Sequence, residues 1–337
     1  MAAIAKFSKS FETCDSLLAE KRIHTRNENI FLLTSNYLKG WKLGFRFSCL
    51  YLYFQNKFRI VLTNQSARSM ELEYSVQDIY IYPIKSLGGI RLEAAEVEEK
   101  GFKYDRRWML VDESGLFLSQ RTIFKLAQLH VKLINDIITV FKQDQQEERI
   151  VIPVAQETEQ SIKVTVWDDE MDAKLVGTIY DDWFSRILSM KVRLVKMPDS
   201  TQRKVNSKYA INDESVSFAD GMPYLLIGQS SLDDINGRIE IPVPMNRFRP
   251  NIVFSGGQAF SEDAWKRIVI GEITFQVVKP CPRCVMPTID QNSGVKSKEP
   301  MKTLATYRSV GSKVLFGQNM IAINFGIFRV GDSIKLL

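Results

Sequence analysis

The sequence predicts a mostly β fold with a few helices (α+β), and three observations support this class. From Val76 onward, short apolar runs alternate with turn residues, whereas long stretches of helical periodicity are rare. The 337 residues are 45% hydrophobic and 25% charged, which is typical of a globular protein with a sizeable core. Neither G-x-G-x-x-G nor G-x-x-x-x-G-K occurs and strands do not alternate regularly with helices, so a Rossmann or P-loop fold is unsupported.

Alternating apolar residues and turn residues predict a series of short strands. The first begins near Val76, where Ile79 and Ile81 lie two residues apart. Further strands are predicted at Trp108–Val111, Val131–Leu133, Ile137–Phe141, Ile162–Val166, Val192–Val195, Ile252–Phe254, Ile273–Val278 and Ile334–Leu337. Asn135 and Asp136 separate two of these runs, and such a pair favours a hairpin turn.

Two helices are predicted. Thr178 and Asp181 have the spacing of a capping box, which marks the start of a helix. The apolar face that follows is made of Ile179, Trp183, Phe184, Ile187 and Leu188. Ser230 with Asp233 predicts the start of a shorter helix near Leu232–Ile235.

The net charge of +6 lies in the first fifth of the chain. Residues 1–69 hold 11 Lys and Arg against 4 Asp and Glu, whereas the remaining chain holds 34 and 35. A nucleic-acid-binding domain carries its basic surface on the folded body, so we expect no nucleic-acid partner. Charged residues interrupt the apolar stretch 44–63 before it reaches the length of about 20 residues that a transmembrane helix needs, so we expect no integral membrane span. We expect translation to begin at Met70, or residues 1–69 to form a poorly ordered extension.

Cysteine and histidine usage narrows the possible chemistry. Four cysteines are too few for a disulfide scaffold, which indicates a reducing compartment. Two histidines without an H-E-x-x-H pattern argue against a zinc hydrolase and a Ser-His-Asp triad.

The pair Cys281-Pro282-Arg283-Cys284 is the strongest local feature. Its spacing fits half of a zinc site, a thioredoxin-type redox pair, or two buried cysteines in a β-turn. Lys279 and Arg283 favour a functional role, because cations stabilise the thiolate form that ligates a soft metal.

Four motifs occur in a fixed order along the chain: Tyr82-Pro83-Ile84-Lys85-Ser86, Asp105-Arg106-Arg107-Trp108, Arg247-Phe248-Arg249-Pro250-Asn251-Ile252 and Cys281-Pro282-Arg283-Cys284. Together they resemble the MOSC-domain proteins with an N-terminal β-barrel half, namely the amidoxime-reducing components and their bacterial relatives. The resemblance is specific because all four motifs match at family-like spacing. It covers about residues 75–337 and implies an N-terminal MOSC β-barrel domain over 75–200 and a MOSC β-barrel domain over 201–337, while the basic extension over 1–74 lies outside it.

The resemblance also implies roles for individual residues. Cys284 matches the cysteine that ligates molybdenum and supports catalysis. Lys85, Ser86 and Arg106 match positions that hold the phosphate or pterin of the molybdenum cofactor (Mo-molybdopterin), and Arg249 matches a second pterin contact. A lysine point charge, a hydroxyl and a guanidinium fork suit an anion.

Two further positions follow from the same comparison. Asp220 aligns with an acidic residue near the family's active site, and a catalytic role and a turn role remain open for it. Some relatives carry a hydroxyl side chain just after that acid, where this chain has Gly221 and Met222, so backbone N–H groups would have to replace any hydroxyl contact to the cofactor. Cys281 is expected to support the turn rather than to bind metal.

The activity implied by the resemblance is a molybdenum-dependent reduction of N-hydroxylated compounds: amidoximes, hydroxylamines and N-oxides. Electrons are expected from a separate donor protein, a small ferredoxin or a cytochrome b5-type protein with its reductase. The family is also associated with pyridoxal phosphate, to which no residue is assigned.

Two alternatives remain open from the sequence. One is a carrier of molybdenum cofactor or of sulfur that uses a persulfide on Cys284. The other is a binder of nucleic acid or anionic surfaces that uses the basic extension. For location, we expect the cytoplasm, or the mitochondrial surface in a eukaryote.

Overall fold

The computed structural model describes residues 73–143 and 145–337, and the predictions that fall on the basic extension, including the start at Met70, lie outside them. The described part consists mainly of strands with three helices, which confirms the predicted class. The strands are β1 Tyr74–Ile81, β2 Ile90–Leu92, β3 Ala94–Glu98, β4 Gly101–Phe102, β5 Trp108–Val111, β6 Leu129–Ile134, β7 Ile137–Lys142, β8 Gln145–Pro153, β9 Ser161–Val166, β10 Asp169–Leu175, β11 Arg193–Lys196, β12 Tyr224–Gly228, β13 Ile252–Ser255, β14 Arg267–Ile270, β15 Ile273–Arg283, β16 Ser309–Val310, β17 Lys313–Ala322, β18 Gly326–Arg329 and β19 Ser333–Leu336. The helices are α1 Thr178–Leu188, α2 Gln229–Asn236 and α3 Met301–Tyr307.

Seven strands close into a barrel in the order β12-β13-β1-β19-β14-β15-β17, and β17 pairs again with β12. Only the β12–β13 pair in this circuit is parallel. The interior is filled by a core that includes Phe102, Tyr224, Phe254 and Phe275. Strand β1 comes from the N-terminal half of the chain, while the other six strands lie between residues 224 and 336. The barrel therefore depends on residues on both sides of the predicted boundary near residue 200.

The N-terminal half also forms two smaller sheets, β5-β11-β10-β9 and β6-β7-β8, and it contributes β3 and β4 to a third sheet with β18. Side chains from both sheets and from α1 share one core, in which Trp108, Ile138, Ile152 and Phe184 are buried. The β6–β7 hairpin turns at Asn135 and Asp136, as predicted, and both residues have positive φ. This conformation at two consecutive residues is the one that matches the twist of a two-residue hairpin.

Helix α1 confirms the predicted position but corrects two of its details. The buried residues are Tyr180, Trp183, Phe184, Ile187 and Leu188, so the apolar face begins at Tyr180, whereas Ile179 is exposed. The predicted capping box is wrong, because Gly177 occupies the cap and Asp181 accepts a hydrogen bond from the Leu194 N–H instead. The Asp181 carboxylate, which the sequence spacing assigned to the start of the helix, therefore bonds to strand β11 instead.

Helix α2 begins earlier than the sequence predicted. It starts at Gln229, and Gly228 rather than Ser230 is its cap. The Ser230 hydroxyl donates to the Gly257 carbonyl and so ties the helix to a neighbouring loop. Within residues 73–143 and 145–337, every helix falls short of the length and apolar character that a membrane crossing requires.

Candidate functional site

The predicted site residues converge on one cavity of about 260 Å³. Each is placed there by the end of a strand: Lys85 and Ser86 follow β1, Arg106 precedes β5, Asp220 precedes β12, Arg249 precedes β13 and Cys284 follows β15. Because the barrel and the N-terminal sheets contribute these strand ends together, residues almost 200 positions apart in the sequence line the same space.

The cavity is strongly cationic. Among its described lining residues, six basic side chains face a single carboxylate, that of Asp220. The basic residues are Lys85, Arg106, Arg121, Arg249, Lys279 and Arg283. Cations gathered in a partly enclosed space focus a positive potential, so the cavity favours an anionic ligand.

Three lining residues have an unusual backbone. Ser86, Arg106 and Arg249 have φ values of 70°, 52° and 53°. Non-glycine residues rarely adopt this left-handed conformation, and it is tolerated where the surrounding structure fixes it, often at functional sites. The fold thus holds these three side chains in directions that an ordinary strand or helix would not give them.

Two of the guanidinium groups lie over the ring of Tyr82. The Cζ atoms of Arg106 and Arg249 are 4.4 Å and 4.2 Å from the ring centroid. Beneath them, the fully buried Asp105 accepts from Arg106 Nη1 at 2.6 Å and from the Tyr82 N–H at 2.7 Å. Burial lowers the pKa of Arg249 to about 10, so the side chain remains charged at neutral pH.

Lys85 and Asp220 form an ion pair in the cavity wall. Lys85 Nζ lies 2.7 Å from Asp220 Oδ1 and also donates to the Phe218 carbonyl at 2.7 Å. Burial lowers the pKa of Lys85 to about 8, and the neighbouring carboxylate offsets this only in part.

For the Asp220 carboxylate, neighbouring charges affect the pKa more than burial does. Burial of the carboxylate by itself would raise the pKa of Asp220, although 57% of the side chain is exposed to solvent. The Lys85 ammonium and the Arg121 guanidinium outweigh this effect and hold the pKa of Asp220 well below its usual range. At neutral pH Asp220 is therefore ionised, and its carboxylate pairs with the two cations.

Arg121 is a site residue that the sequence reasoning missed. Its Nε donates to Cys284 Sγ at 3.3 Å, and its Nη2 donates to Asp220 Oδ2 at 3.2 Å. The guanidinium also lies 4.1 Å from the ring centroid of Trp167, a residue of the β9–β10 turn with a φ of 58°. No local pattern distinguishes this arginine from the other basic residues, because its three partners come from distant parts of the chain.

The cysteine pair is arranged differently from the prediction. Strand β15 continues to Arg283, so Cys281 lies within a strand rather than in a turn. Its register with β17 shifts around Pro280 and Pro282, as expected where proline cannot donate to the ladder. Arg283 Nη1 lies 3.2 Å from Cys281 Sγ, and both thiols are free and half-buried at the cavity wall.

A closed barrel, an N-terminal β half and a cation-lined cavity that holds a free thiol define the class of MOSC-domain proteins. The family model described as "MOSC domain" matches residues 213–335, and the one described as "MOSC N-terminal beta barrel domain" matches residues 73–191.

Curated relatives specify the family further. "Mitochondrial amidoxime-reducing component 1" of Mus musculus is 30% identical over 80% of this chain and 84% of its own length. "Mitochondrial amidoxime reducing component 2" of Rattus norvegicus is 32% identical over 79% and 84%. "Molybdenum cofactor sulfurase" of Oryza sativa subsp. japonica is 28% identical over 83% of this chain but only 36% of its own length. The chain belongs to the family of two-domain MOSC proteins that includes the amidoxime-reducing components, which confirms the predicted resemblance.

Proposed function

We propose that this protein uses molybdenum cofactor to reduce N-hydroxylated compounds such as amidoximes, hydroxylamines and N-oxides. The observation that carries the proposal is the position of Cys284, whose free thiol lies at the wall of a cavity lined by six basic residues. The names of the mouse and rat relatives, which describe amidoxime reduction, support the same activity.

The residues present fit a cofactor that brings its own metal ligands. The described residues contain no group of three or more His, Cys, Asp or Glu side chains that could hold a metal ion unaided. A metal at Cys284 would therefore need further ligands from outside the chain, and the dithiolene sulfurs of a pterin would supply them beside the soft thiolate of the cysteine. Buried Arg121 Nη1 has no hydrogen-bond partner among the described residues, which supports a polar ligand in the cavity.

In this proposal the site residues have different roles. Cys284 ligates the metal, while Lys85, Ser86, Arg106 and Arg249 hold the phosphate and the pterin through charge and hydrogen bonds. Asp220 keeps Lys85 and Arg121 in place through its two ion pairs. The bound cofactor supplies two-electron oxygen-atom transfer, and the protein supplies its attachment and the shape of the cavity.

A purified full-length sample tests the proposal directly. The protein is produced in a host with intact cofactor synthesis, its molybdenum content is measured by elemental analysis, and benzamidoxime reduction is followed with a chemically reduced viologen as the electron source. About one molybdenum per chain together with turnover supports the proposal. Metal-free protein without turnover, from a host in which another molybdenum enzyme is loaded, contradicts it.

We also propose that electrons reach the site from a separate protein, a small ferredoxin or a cytochrome b5-type protein with its reductase. Each donor system is supplied with its nicotinamide nucleotide, and benzamidoxime turnover is compared with that obtained with viologen. If viologen supports benzamidoxime turnover and neither donor system does, this part of the proposal is contradicted.

A second candidate function uses the same thiol. The rice relative is named a sulfurase of the cofactor, and Cys284 could carry a sulfane sulfur as a persulfide in such a role. Release of thiocyanate on treatment with cyanide, from protein without molybdenum, supports the carrier. Molybdenum-loaded protein that turns over benzamidoxime and yields no thiocyanate supports the reductase.

For location, the names of the amidoxime-reducing relatives favour mitochondria over the cytoplasm. Fractionation of cells that express the full chain, with immunoblotting of mitochondrial and cytosolic fractions, tests this assignment.

A further inference from the structure

The chain that follows Cys284 forms a surface directly beside the cavity. Cys284 lines the cavity, whereas the next residue, Val285, does not line it and is exposed to solvent. The Val285 carbonyl accepts from the Thr288 N–H and hydroxyl, and the Thr288 carbonyl accepts from the Ser297 N–H at 2.9 Å. The chain therefore folds back on itself, and the residues around position 297 lie close to the thiol.

Three exposed apolar residues form the centre of this surface. Val285, Val295 and Phe124 are 42%, 62% and 37% exposed. Phe124 comes from the N-terminal half of the chain, and Lys296 Nζ lies 5.9 Å from the centroid of its ring. A Cβ built on Gly294 would lie 3.2 Å from the Phe124 carbonyl oxygen, so the two segments are closely packed. Exposed apolar residues that are grouped and surrounded by charge are typical of an interaction site.

Lysine residues surround the apolar centre. Lys125, Lys296 and Lys298 are exposed, and within residues 73–143 and 145–337 none of the three forms an ion pair. Their charges are therefore available to a partner. We call this surface the lysine patch, and it consists of six residues: Phe124, Lys125, Val285, Val295, Lys296 and Lys298.

The acidic residues near the lysine patch are already engaged. Asp290 pairs with Arg247 at 2.9 Å, and Glu299 accepts from the backbone of α3 at 3.1 Å. The β9–β10 turn, whose Trp167 ring lies against a guanidinium of the cavity wall, instead carries exposed carboxylates. These belong to Asp168 and Glu170. The surface beside the cavity is thus positive at the lysine patch and negative at this turn.

This arrangement fits an acidic protein better than an anionic membrane. Protein interfaces have an apolar centre within a polar rim, and complementary charges steer the partner and fix its orientation. A membrane surface is broad, so it would also meet the acidic β9–β10 turn and be repelled there. A protein with a limited group of carboxylates would meet the lysines alone.

We propose that the lysine patch is the docking surface for an electron-donor protein whose redox centre is surrounded by Asp and Glu side chains. The proposal deepens the proposed function and rests on it for the need of a donor. Val285 adjoins Cys284, and Arg121, which contacts the Cys284 sulfur at 3.3 Å, precedes Phe124 by only two intervening residues. A donor bound here would bring its redox centre close to the proposed metal ligand, and electron transfer is efficient only over short distances.

The stoichiometry of the proposed reaction favours a small surface. Conversion of one N–OH group to N–H consumes two electrons and two protons and releases one water molecule. A one-electron donor must therefore dock and leave twice in each turnover. Small, charged interfaces suit such transient electron-transfer encounters, because they form rapidly and dissociate readily.

Binding measurements on the full chain test the lysine patch independently of turnover. The probes are the soluble haem domain of a cytochrome b5 and a plant-type 2Fe–2S ferredoxin, each titrated by calorimetry at low and at high ionic strength. At least one probe should bind at low ionic strength, with an affinity that falls as salt is added. If neither probe binds, the proposal is overturned.

Two double variants with the same change in net charge locate the surface. Lys296→Glu combined with Lys298→Glu, the patch variant, should weaken binding of the probe by about tenfold or more. Lys335→Glu combined with Arg329→Glu, the control, changes exposed residues of β19 and β18 and should weaken it by less than about twofold. Strand β19 pairs with the start of β1, and the turn after β18 bonds to Val76, whereas the cavity lies beyond the other end of β1. Equal losses in the two variants would contradict a localised docking surface.

Cross-linking identifies the contact residues directly. A water-soluble carbodiimide joins a lysine amine to a carboxylate where the two are in contact, and mass spectrometry of the digested complex identifies the lysine. Cross-links from the probe to Lys125, Lys296 or Lys298 support the proposal. Cross-links confined to other lysines, such as Lys335, overturn it.

Vesicles test the membrane as the alternative partner. The full chain is sedimented with phosphatidylcholine vesicles that contain or lack phosphatidylserine. Binding to the phosphatidylserine vesicles that is lost in the patch variant, without binding to either probe, would identify a lipid surface and overturn the proposal. Probe binding that is lost in the patch variant supports the donor protein.

Turnover separates the docking surface from the proposed reductase activity. Donor-driven benzamidoxime reduction is divided by viologen-driven reduction of the same sample. A ratio that falls in the patch variant but not in the control supports docking at the lysine patch, whereas an equal ratio in both overturns it. Probe binding at the patch of cofactor-loaded protein that reduces no benzamidoxime with viologen would contradict the reductase proposal and leave the docking surface standing.

Discussion

Arg121 Nε lies 3.3 Å from Cys284 Sγ, so a residue from the N-terminal half directly contacts the thiol at the end of strand β15. The same guanidinium reaches Asp220 at 3.2 Å and lies over Trp167 at 4.1 Å. It thereby joins the two halves of the protein at the point where we propose that the metal binds. A second arginine, Arg238, has similar contacts outside the cavity, with its Cζ 4.3 Å from the ring centroid of Tyr307 and an ion pair to Asp234.

Replacement of Arg121 by Met should weaken molybdenum retention by about 10- to 100-fold, because groups that orient a metal ligand have effects of this size. Molybdenum per chain is measured after gel filtration, and unfolding in urea shows whether the variant remains folded. Arg238→Met, which removes a similar stacked and paired arginine, should retain molybdenum at the native level. Equal molybdenum content in the two variants would show that Arg121 does not position Cys284.

The two thiols should differ in importance. Cys284→Ala removes the proposed ligand, so molybdenum retention and benzamidoxime turnover should both fall by about 100-fold or more, beyond the range for supporting residues. Cys281→Ala should keep measurable molybdenum, because the Cys281 sulfur contacts Arg283 and is not the proposed metal ligand. Turnover by Cys284→Ala protein that still contains molybdenum would refute the ligand role.

Anion binding should weaken as the pH rises through about 8. Burial lowers the pKa of Lys85 to about 8, so the ammonium charge is present below this pH and lost above it. Inorganic phosphate is mostly the dianion at pH 8 and becomes slightly more negative by pH 9, so a fall in its affinity over this range reports the loss of a cation from the protein. Phosphate affinity is measured by calorimetry at intervals from pH 7 to pH 9.5.

Lys85→Arg is the control for this pH dependence, since a guanidinium remains protonated across the range. If the variant binds phosphate and loses affinity above pH 8 as steeply as the native protein, another group is responsible. Folding stability depends on pH in the opposite direction from phosphate affinity. The folded-state pKa lies below the unfolded value of 10.5, so the cost of burying the ammonium is fully present below pH 8 and disappears as the pH rises towards 10.5.

The ring of Tyr82 should contribute more to stability than its hydroxyl group does. Tyr82→Phe removes one hydrogen bond, from the hydroxyl to the Pro250 carbonyl at 3.1 Å, and should lower the free energy of unfolding by about 1 kcal/mol. Tyr82→Leu also removes the surface on which Arg106 and Arg249 lie, and should cost about 2–4 kcal/mol. Urea unfolding measures both values. A Tyr82→Leu protein as stable as Tyr82→Phe would show that the stacking adds nothing.

Much of the local structure could be predicted from the sequence because its signals are local. The Asn135-Asp136 pair predicts a hairpin since these residues tolerate positive φ, and the structure has that hairpin. The periodic apolar residues predict helix α1 at its observed position. The caps of both predicted helices were wrong, because Asp181 and Ser230 bond to distant backbone groups instead of their own helix ends.

The candidate site was predictable only where a motif marked it. Lys85, Arg106, Arg249 and Cys284 belong to motifs that match a known family, and the structure brings them to one cavity. The roles assigned to them and the domain boundary near residue 200 remain predictions. Arg121 belongs to no motif, and its importance comes from partners that lie far away in the sequence.

The sequence by itself determined the strand-rich class, the hairpin, the approximate positions of two of the three described helices and the family, because these follow from side-chain period, turn chemistry and motif order. Tertiary structure decided that β1 closes the barrel, that Arg121 reaches Cys284 and that Asp220 stays ionised between two cations. Strand pairing and electrostatic interactions depend on distances in space. Residues that lie about 100 or more positions apart in the sequence come close to each other only when the chain folds.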